Sequence, residues 1–422
     1  MFRFISIIPA VLMIPAGFYL YFYFKRMAAF FHTDVKKRLV KALLIILSVV
    51  VAAQAMNIWG LGAVVVLYGI ALAVVMDVVN FIISRVHKGR QNRMLSKTEM
   101  FDGPEVPDSA EQSGSVDLCG KGEMSGRVRM SGRTERSGSA YTVWKKVYRC
   151  GLMPLVCLAL LMGYGYWNMA HVKQTHYTVS TEKNVRSEGY RIALITDLHF
   201  GTTMDANKLD AHCREIEAQQ PDVIVLCGDI VDEATSLSQM QEAARILGGM
   251  TSEYGIFYVF GNHDRAWYSR NPAFTAQELE ETLTSAGIHV LCDESYAVND
   301  ELTLIGREDR SFFGGNGRKN QEELLDGVDK DDFLLLLDHQ PSELMENAAA
   351  GFDLQLSGHT HGGQIWPVGV VSDILGFGEL NYGYEQMDDF QVIVSSGIAG
   401  WGYAVRTGSH SEYVIVDVGR KS

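Results

Sequence analysis

The sequence predicts an α/β domain carried on an N-terminal membrane region, and three observations lead there. Two long stretches near the start, Phe4–Phe24 and Ala42–Met76, contain no charged residue. Five short apolar runs in the second half each end in a cluster of Asp, His or Asn. Helical patterns lie between the first of those runs. Charge divides along the same line. Residues 1–170 hold 20 Lys+Arg against 10 Asp+Glu, a net of +10. Residues 171–422 hold 17 against 40, a net of −23, and the two give the chain's −13. The acidic half argues against a nucleic-acid partner, because phosphate backbones are gripped through Lys and Arg.

Taken in order, Phe4–Phe24 offers 21 uncharged residues, and about 20 apolar residues cross a ~30 Å hydrocarbon core. The next apolar pattern runs from Ala42 past Asp77 to Ser84, too long for one helix. Gly60-Leu61-Gly62 marks a hairpin inside it, giving spans over about 42–59 and 63–84. A fourth span is expected within 147–171, over Cys150–Ala170, with Tyr164, Tyr166 and Trp167 as an interfacial belt at its far end. Residues 1–87 thus form a membrane region with three spans. The segment 88–146 is rich in Ser, Gly and charge and reads as a mobile polar loop, since few apolar groups are there to offset ordering entropy. Asp77 is the one acid in the second apolar stretch; intramembrane carboxylates are often functional, while a place near a span end is also expected to let it reach polar surroundings.

Orientation follows from the short loops. Lys25, Arg26, Lys36, Lys37 and Arg38 place the first connection in the cytoplasm, and Arg85, Lys88, Arg90 and Arg93 return there. About four spans then leave the domain over 172–422 on the extracytoplasmic face of the cell membrane. The first span ends in aromatics and Lys25-Arg26 rather than at a small-residue cleavage site. The six cysteines show no pairing pattern.

Within 172–422 the reading begins with strand Thr175–Ser180. It continues through strand Ile192–Ile195, helix Asp205–Gln219, strand Val223–Cys227, helix Ser236–Leu247, strand Ile256–Phe260 and helix Thr275–Ala286. Mostly strands follow: Glu301–Ile305, Phe333–Leu337, Leu354–Leu356, Gln391–Ser395 and Glu412–Val418. Five of these strands end in chemistry. The clusters are Asp197-Leu198-His199, Gly228-Asp229-Ile230-Val231-Asp232, Gly261-Asn262-His263-Asp264, Asp338-His339-Gln340-Pro341 and Ser357-Gly358-His359-Thr360-His361-Gly362-Gly363-Gln364. Side chains at the carboxyl ends of strands in an open α/β sheet converge on one rim. Oxygen and imidazole ligands gathered without thiolate indicate a site for Mn, Fe or Zn.

This ordered set, D-x-H, G-D-x-x-D, G-N-H-D, a lone His and G-H-x-H, resembles the calcineurin-like metallophosphoesterase superfamily over about Tyr190 to Val418. The run Gly358-His359-Thr360-His361-Gly362-Gly363-Gln364 resembles a subgroup that includes bacterial membrane-associated phosphodiesterases. The resemblance implies an α/β fold of four layers, an αββα sandwich of two mixed sheets with helices outside. It also implies two divalent metals. The first would take Asp197, His199, Asp229 and His361, and the second Asp229, Asn262, His339 and His359, with Asp229 bridging. His263 would act on the leaving group, Asp264 would orient its ring, and Asp232 would support a ligating histidine. Trp366 is expected either as a substrate wall or as a buried structural ring, and Arg406 either at a substrate phosphate or in a surface salt bridge. Trp267, Tyr268 and Trp401-Gly402-Tyr403 are expected as an apolar rim around the metals or as core packing.

The function so implied is a membrane-anchored, binuclear metal-dependent phosphoesterase that uses metal-activated water. Its substrate would be a phosphodiester or pyrophosphate, lipid-linked ones included. Two alternatives stand beside it: a phosphomonoesterase or nucleotide phosphodiesterase on soluble substrates, and a non-catalytic membrane binding or regulatory module. A complete ligand set together with His263 favours the enzyme.

Overall fold

The computed structural model describes residues 7–57, 60–99, 132–311 and 317–421. The chain divides into two compact units, Met1–Ala159 and Leu160–Ser422. The first is helical: α1 (Ile7–Phe30), α2 (Arg38–Ala53, extended by a 3-10 turn over Gln54–Met56), α3 (Leu61–Glu99), α4 (Gly132–Cys150) and the start of α5 (Leu152–Ala170). Among the described residues three helices are long and apolar enough to cross a membrane, Arg38–Met56, Leu61–Arg93 and Leu152–Ala170. The count is therefore three where about four spans were expected. The first expected span begins outside the described residues. Helix α1 covers the rest of it, from Ile7 onward.

The hairpin predicted at Gly60 falls between the end of the 3-10 turn at Met56 and the start of α3 at Leu61. The polar loop expected over 88–146 is helical at both ends, in α3 to Glu99 and in α4 from Gly132, and its middle lies outside the described residues. Asp77 does not face lipid alone. Arg26 donates to its Oδ1 at 2.7 Å and the Tyr19 hydroxyl to its Oδ2 at 2.8 Å, so a charge deep in an apolar helix is compensated within the bundle.

The second unit is a sandwich of two mixed six-stranded sheets. One follows the order β1 (Lys173–Thr181), β12 (Glu412–Arg420), β2 (Tyr190–Ile195), β3 (Val223–Cys227), β4 (Ile256–Val259) and β5 (Ile288–Val290). The other follows β10 (Gly383–Met387), β11 (Phe390–Val394), β9 (Leu354–Ser357), β8 (Phe333–Leu337), β7 (Leu302–Gly306) and β6 (Glu294–Ala297). Strands β2 to β5 run parallel, as do β7, β8, β9 and β11. Only β12–β2, β10–β11 and β6–β7 are antiparallel pairs among the described strands.

Side-chain alternation builds the layers. Ile192, Leu194, Val223, Val225, Leu335, Leu337, Leu354 and Leu356 meet between the sheets. Their neighbours Ala193, Ile195, Ile224 and Leu226 turn to the opposite face and pack with Leu209, Ile216, Met240 and Leu283 of helices α6 (Ala206–Glu217), α7 (Leu237–Gly248) and α8 (Ala276–Ser285). On the far side Leu334, Leu336, Val392 and Val394 pack with Leu324 of α9 (Gln321–Leu324) and Leu344 of α10 (Leu344–Ala350). Each such buried aliphatic side chain contributes about 1.5–3 kcal/mol, so two-faced burial holds the parallel strands rigid behind the rim they share.

Helix starts follow the polar residues that precede them. Ser236 accepts from the Gln239 amide at 3.3 Å while Gln239 Oε1 accepts from the Ser236 amide at 2.8 Å. Thr275 and Glu278 make the same reciprocal cap at α8, and Asp205 accepts from the Lys208 amide at α6. Each reciprocal pair satisfies two amides that the first helical turn leaves without partners.

Candidate metal centre

Seven histidine, aspartate and asparagine side chains meet where five strands end. Asp197 and His199 follow β2, Asp229 follows β3, Asn262 follows β4, His339 follows β8, and His359 and His361 follow β9. The two sheets present their carboxyl ends on one side because these five strands run parallel within each sheet. Five of the seven residues occupy the left-handed region: Asp197 (φ 56°), His199 (40°), Asp229 (53°), His359 (70°) and His361 (52°). Asp, Asn and His are the non-glycine residues found there most readily, yet each such residue carries roughly 1–3 kcal/mol of strain. The packed sheets behind hold that strain in place.

The ligand atoms fall into two groups. Asp197, His199 and His361 form one, Asp229, His339 and His359 the other, with the atoms of each within 4.8 Å of one another. Asp229 faces both: its Oδ2 lies 3.1 Å from His339 Nε2 and 3.9 Å from His199 Nε2. Asn262 Oδ1 joins the second group, 2.8 Å from His359 Nδ1. The His199 and His361 Nε2 atoms face each other at 3.3 Å, and His361 Nε2 lies 3.5 Å from Asp197 Oδ1. His339 Nδ1 donates to the Cys227 carbonyl at 2.8 Å, which turns its Nε2 toward Asp229. Orientation of a ligating imidazole through its other nitrogen is usual at metal sites. This donor set fits two divalent cations.

Electrostatics agree with that fit. Burial pushes His199 down to about 3, His359 to about 4 and His361 well below the usual range, so all three imidazoles are neutral with lone pairs available. Burial alone would raise Asp229, but the charge of His339 beside it prevails and holds the carboxylate well below its ordinary range. The same pairing keeps His339 well above its own range against the effect of burial. Cation binding at this pair must therefore release a proton.

Close approach is possible because glycines stand between the ligands. A Cβ on Gly358 would lie 2.2 Å from Thr196 Oγ1 and 2.4 Å from Asp197 Oδ2, and one on Gly261 would lie 2.2 Å from Asp229 Oδ1.

The remaining expected residues divide. His263 stands beside the cluster, its ring centroid 5.3 Å from that of His199 and its amide donating to Asp229 Oδ1 at 2.8 Å. Asp264 does not orient that ring. It is fully buried and accepts from the amides of Asp229 (2.6 Å), Gly261 (2.7 Å) and Val231 (3.1 Å), organising two ligand loops instead. The carboxylate on His263 Nδ1 is Glu233, at 2.9 Å. In the sequence Glu233 directly follows Asp232, and that acidic pair is its signal. Burial would lower His263, but Glu233 and the charge of Asp229 raise it to about 9. Asp232 Oδ2 approaches His199 Nδ1 at 3.6 Å and also accepts from Thr202 at 3.0 Å.

Arg406 overturns both of its expected roles, since it neither reaches outward to a phosphate nor forms a surface pair. Its side chain is fully buried and donates to the carbonyls of Ser396 (2.7 Å), Ala399 (2.6 Å), His410 (2.8 Å) and His361 (3.3 Å). It fastens the glycine-rich loop after β11 to the loop that carries His361. Trp366 is 58% exposed, which excludes the buried structural ring. Tyr268 and Trp401 flank His263, with ring centroids at 5.1 and 5.4 Å.

A family model described as calcineurin-like phosphoesterase matches residues 190–363, a range that contains all seven. The chain is 30% identical over 265 residues to an uncharacterized metallophosphoesterase of Aquifex aeolicus, covering 62% of this chain and 97% of that protein. It is 31% identical over 239 residues to the transmembrane protein with metallophosphoesterase domain of Bos taurus, covering 53% of this chain and about half, 51%, of that relative. It is 28% identical over 276 residues to an uncharacterized metallophosphoesterase of Campylobacter jejuni, covering 63% of this chain and 69% of that one.

Proposed function

The chain belongs to the calcineurin-like metallophosphoesterase family and is a metal-dependent hydrolase, and from that premise we propose that it cleaves a phosphodiester or pyrophosphate, lipid-linked forms included, at the outer face of the membrane that anchors it. The observation that carries this reading is Asp229, one carboxylate shared by two ligand groups. We assign Asp197, His199, Asp229 and His361 to one cation, and Asp229, Asn262, His339 and His359 to the other. When bound, a pair of divalent cations neutralises phosphoryl charge and lowers the pKa of an attacking water.

The chain's own residues supply the rest. At neutral pH His263 is an imidazolium in the free protein, with Nδ1–H donated to Glu233. Its remaining N–H can then be given to a departing oxygen. Tyr268 and Trp401 against its ring keep water from that side, and Asp264 keeps the loops of Asp229 and Asn262 in register by accepting three amides. Anchoring comes from the apolar helices, which in this reading number four with the segment over Phe4–Phe24.

The test uses the detergent-purified full chain, stripped with chelator and reloaded with Mn, Fe or Zn. Asp229→Asn should lose metal and hydrolysis together. His263→Ala should keep two metals per chain and lose roughly 10²–10⁴-fold in turnover, the usual worth of a positioned acid. Full rate and full metal content in Asp229→Asn would defeat the shared-carboxylate assignment. A panel of phosphomonoester, soluble diester and lipid pyrophosphate then fixes the substrate class, and cleavage of monoesters alone would reject the diester reading.

A further inference from the structure

Helix α11 (Val368–Leu375) and its flanks are unlike the rest of the sandwich surface. Seven of the twelve residues from Trp366 to Phe377 are large, apolar and exposed, Ile374 at 76% and Phe377 at 69%. Among the described residues six others are scattered over the remainder of 172–421. Single exposed apolar side chains are ordinary, but a contiguous patch marks a contact surface. Gly369 is the only residue of α11 that is buried, so the helix lies on the surface rather than in it.

Where this patch sits is fixed by the chain's own membrane helix. Leu160–Ala170, the end of α5, belongs to the same compact unit. The Gly165 carbonyl accepts from the Arg406 amide at 3.0 Å, and Asn168 Nδ2 donates to the carbonyls of Arg406 (3.0 Å) and Ser409 (2.6 Å). One residue on from Arg406, Thr407 Oγ1 accepts from the Trp366 amide at 3.1 Å. Trp366 is thus one loop residue away from Gly165. On α5 itself Tyr164, Tyr166 and Trp167 are all at least half exposed, the aromatic pattern of a membrane–water boundary. Trp366 and α11 begin at that level.

The inner side of the patch leads to the metal centre. A cleft of about 400 Å³ is lined by Val368, Phe377 and Leu380 together with Pro341, Arg310 and His359. It joins an apolar wall, a cation and a proposed metal ligand in one channel.

We propose that α11 is an interfacial helix lying in the surface of the bilayer in which α5 ends, and that the cleft beside it admits a phosphoester whose apolar part stays seated in that bilayer. The substrate half rests on the hydrolytic reading above; the docking half does not. No Lys or Arg occurs from Trp366 to Phe377, so the contact depends on apolar area and not on anionic lipid, unlike the basic amphipathic helices of many peripheral proteins.

The experiment places p-benzoylphenylalanine at Ile374, or at Met345 as an exposed control outside the patch, in the full chain reconstituted into phosphatidylcholine vesicles. Irradiation should give lipid adducts at position 374, at least tenfold above position 345, and adding phosphatidylglycerol should not raise them. Equal yields at the two positions, or adducts joining two copies of the chain, would overturn the docking. In parallel, Ile374→Glu and Leu375→Glu, neither of which lines the cleft, should lose at least tenfold in kcat/KM on a vesicle-borne phosphodiester. Hydrolysis of soluble bis(p-nitrophenyl) phosphate should be unchanged. Unaltered rates on the vesicle substrate would overturn delivery from the bilayer. A parent chain that cleaves neither substrate would instead reject the hydrolytic reading and leave the cross-linking to decide the docking.

Discussion

His263 and Glu233 show how one contact sets the protonation of a site. Burial works against a charged imidazole, and the Glu233 carboxylate at 2.9 Å reverses that, raising His263 to about 9. A raised pKa means the acid form persists through neutral pH and is lost as pH climbs through the folded value. Glu233→Gln keeps an acceptor but removes the charge, so the pKa falls. The alkaline limb of the kcat/KM profile should therefore move to lower pH, with about tenfold or more lost at pH 8. Rate profiles of the two proteins on one soluble diester check this, and coincident alkaline limbs would remove Glu233 from the mechanism. Glu233 lay next to a residue that the motifs flagged. Arg406 lay in a loop that the family resemblance brought close to the metals, but its burial depends on carbonyls from four separate residues, which no linear pattern displays.

At the scale of elements, the ligand loops depend on glycines as much as on the ligands. Gly358→Ala puts a Cβ against Thr196 and Asp197, and overpacking of this kind costs roughly 1–3 kcal/mol. The displaced atom is a carboxylate oxygen of the first group. The expected outcome is loss of about one metal per chain with the circular dichroism spectrum kept, while Gly419→Ala, which has open space around it, changes neither. Equal metal content in both variants would show that the loop can yield.

The five ligand-bearing strands were legible because they are buried on both faces and so read as short continuous apolar runs. Their order carried the site with them. The edge strands of the second sheet were not legible: β6 is exposed throughout and β10 nearly so, which leaves no alternation to read. Helix α11 escaped for another reason. Its Val-Gly-Val-Val start has poor helix propensity, and its apolar residues serve a surface. The strand readings over Glu301–Ile305 and Glu412–Val418 landed on β7 and β12, but nothing local told which sheet each would join.

For the whole molecule the topology we propose makes a direct prediction. A reporter fused after Ser422 should read the outer face, and one inserted near Gly120 the cytoplasm, because Lys and Arg crowd the loops on that side. Cytoplasmic signals from both positions would mean that α5, the candidate span between them among the described residues, does not cross the membrane.

One pairing also governs the order in which this molecule can be built. β12 lies between β1 and β2, bonded to Lys173–Thr181 on one side and to Tyr190–Leu194 on the other, with Lys173 opposite Glu412 and Tyr190 opposite Val418. The ribosome makes β1 and β2 more than two hundred residues before it makes the strand that joins them. Until then each has a free edge, and free edges invite wrong partners. The sheet that holds Asp197, Asp229 and Asn262 is therefore completed by a strand made long after its neighbours, and β1 can join it only once translation has passed Arg420.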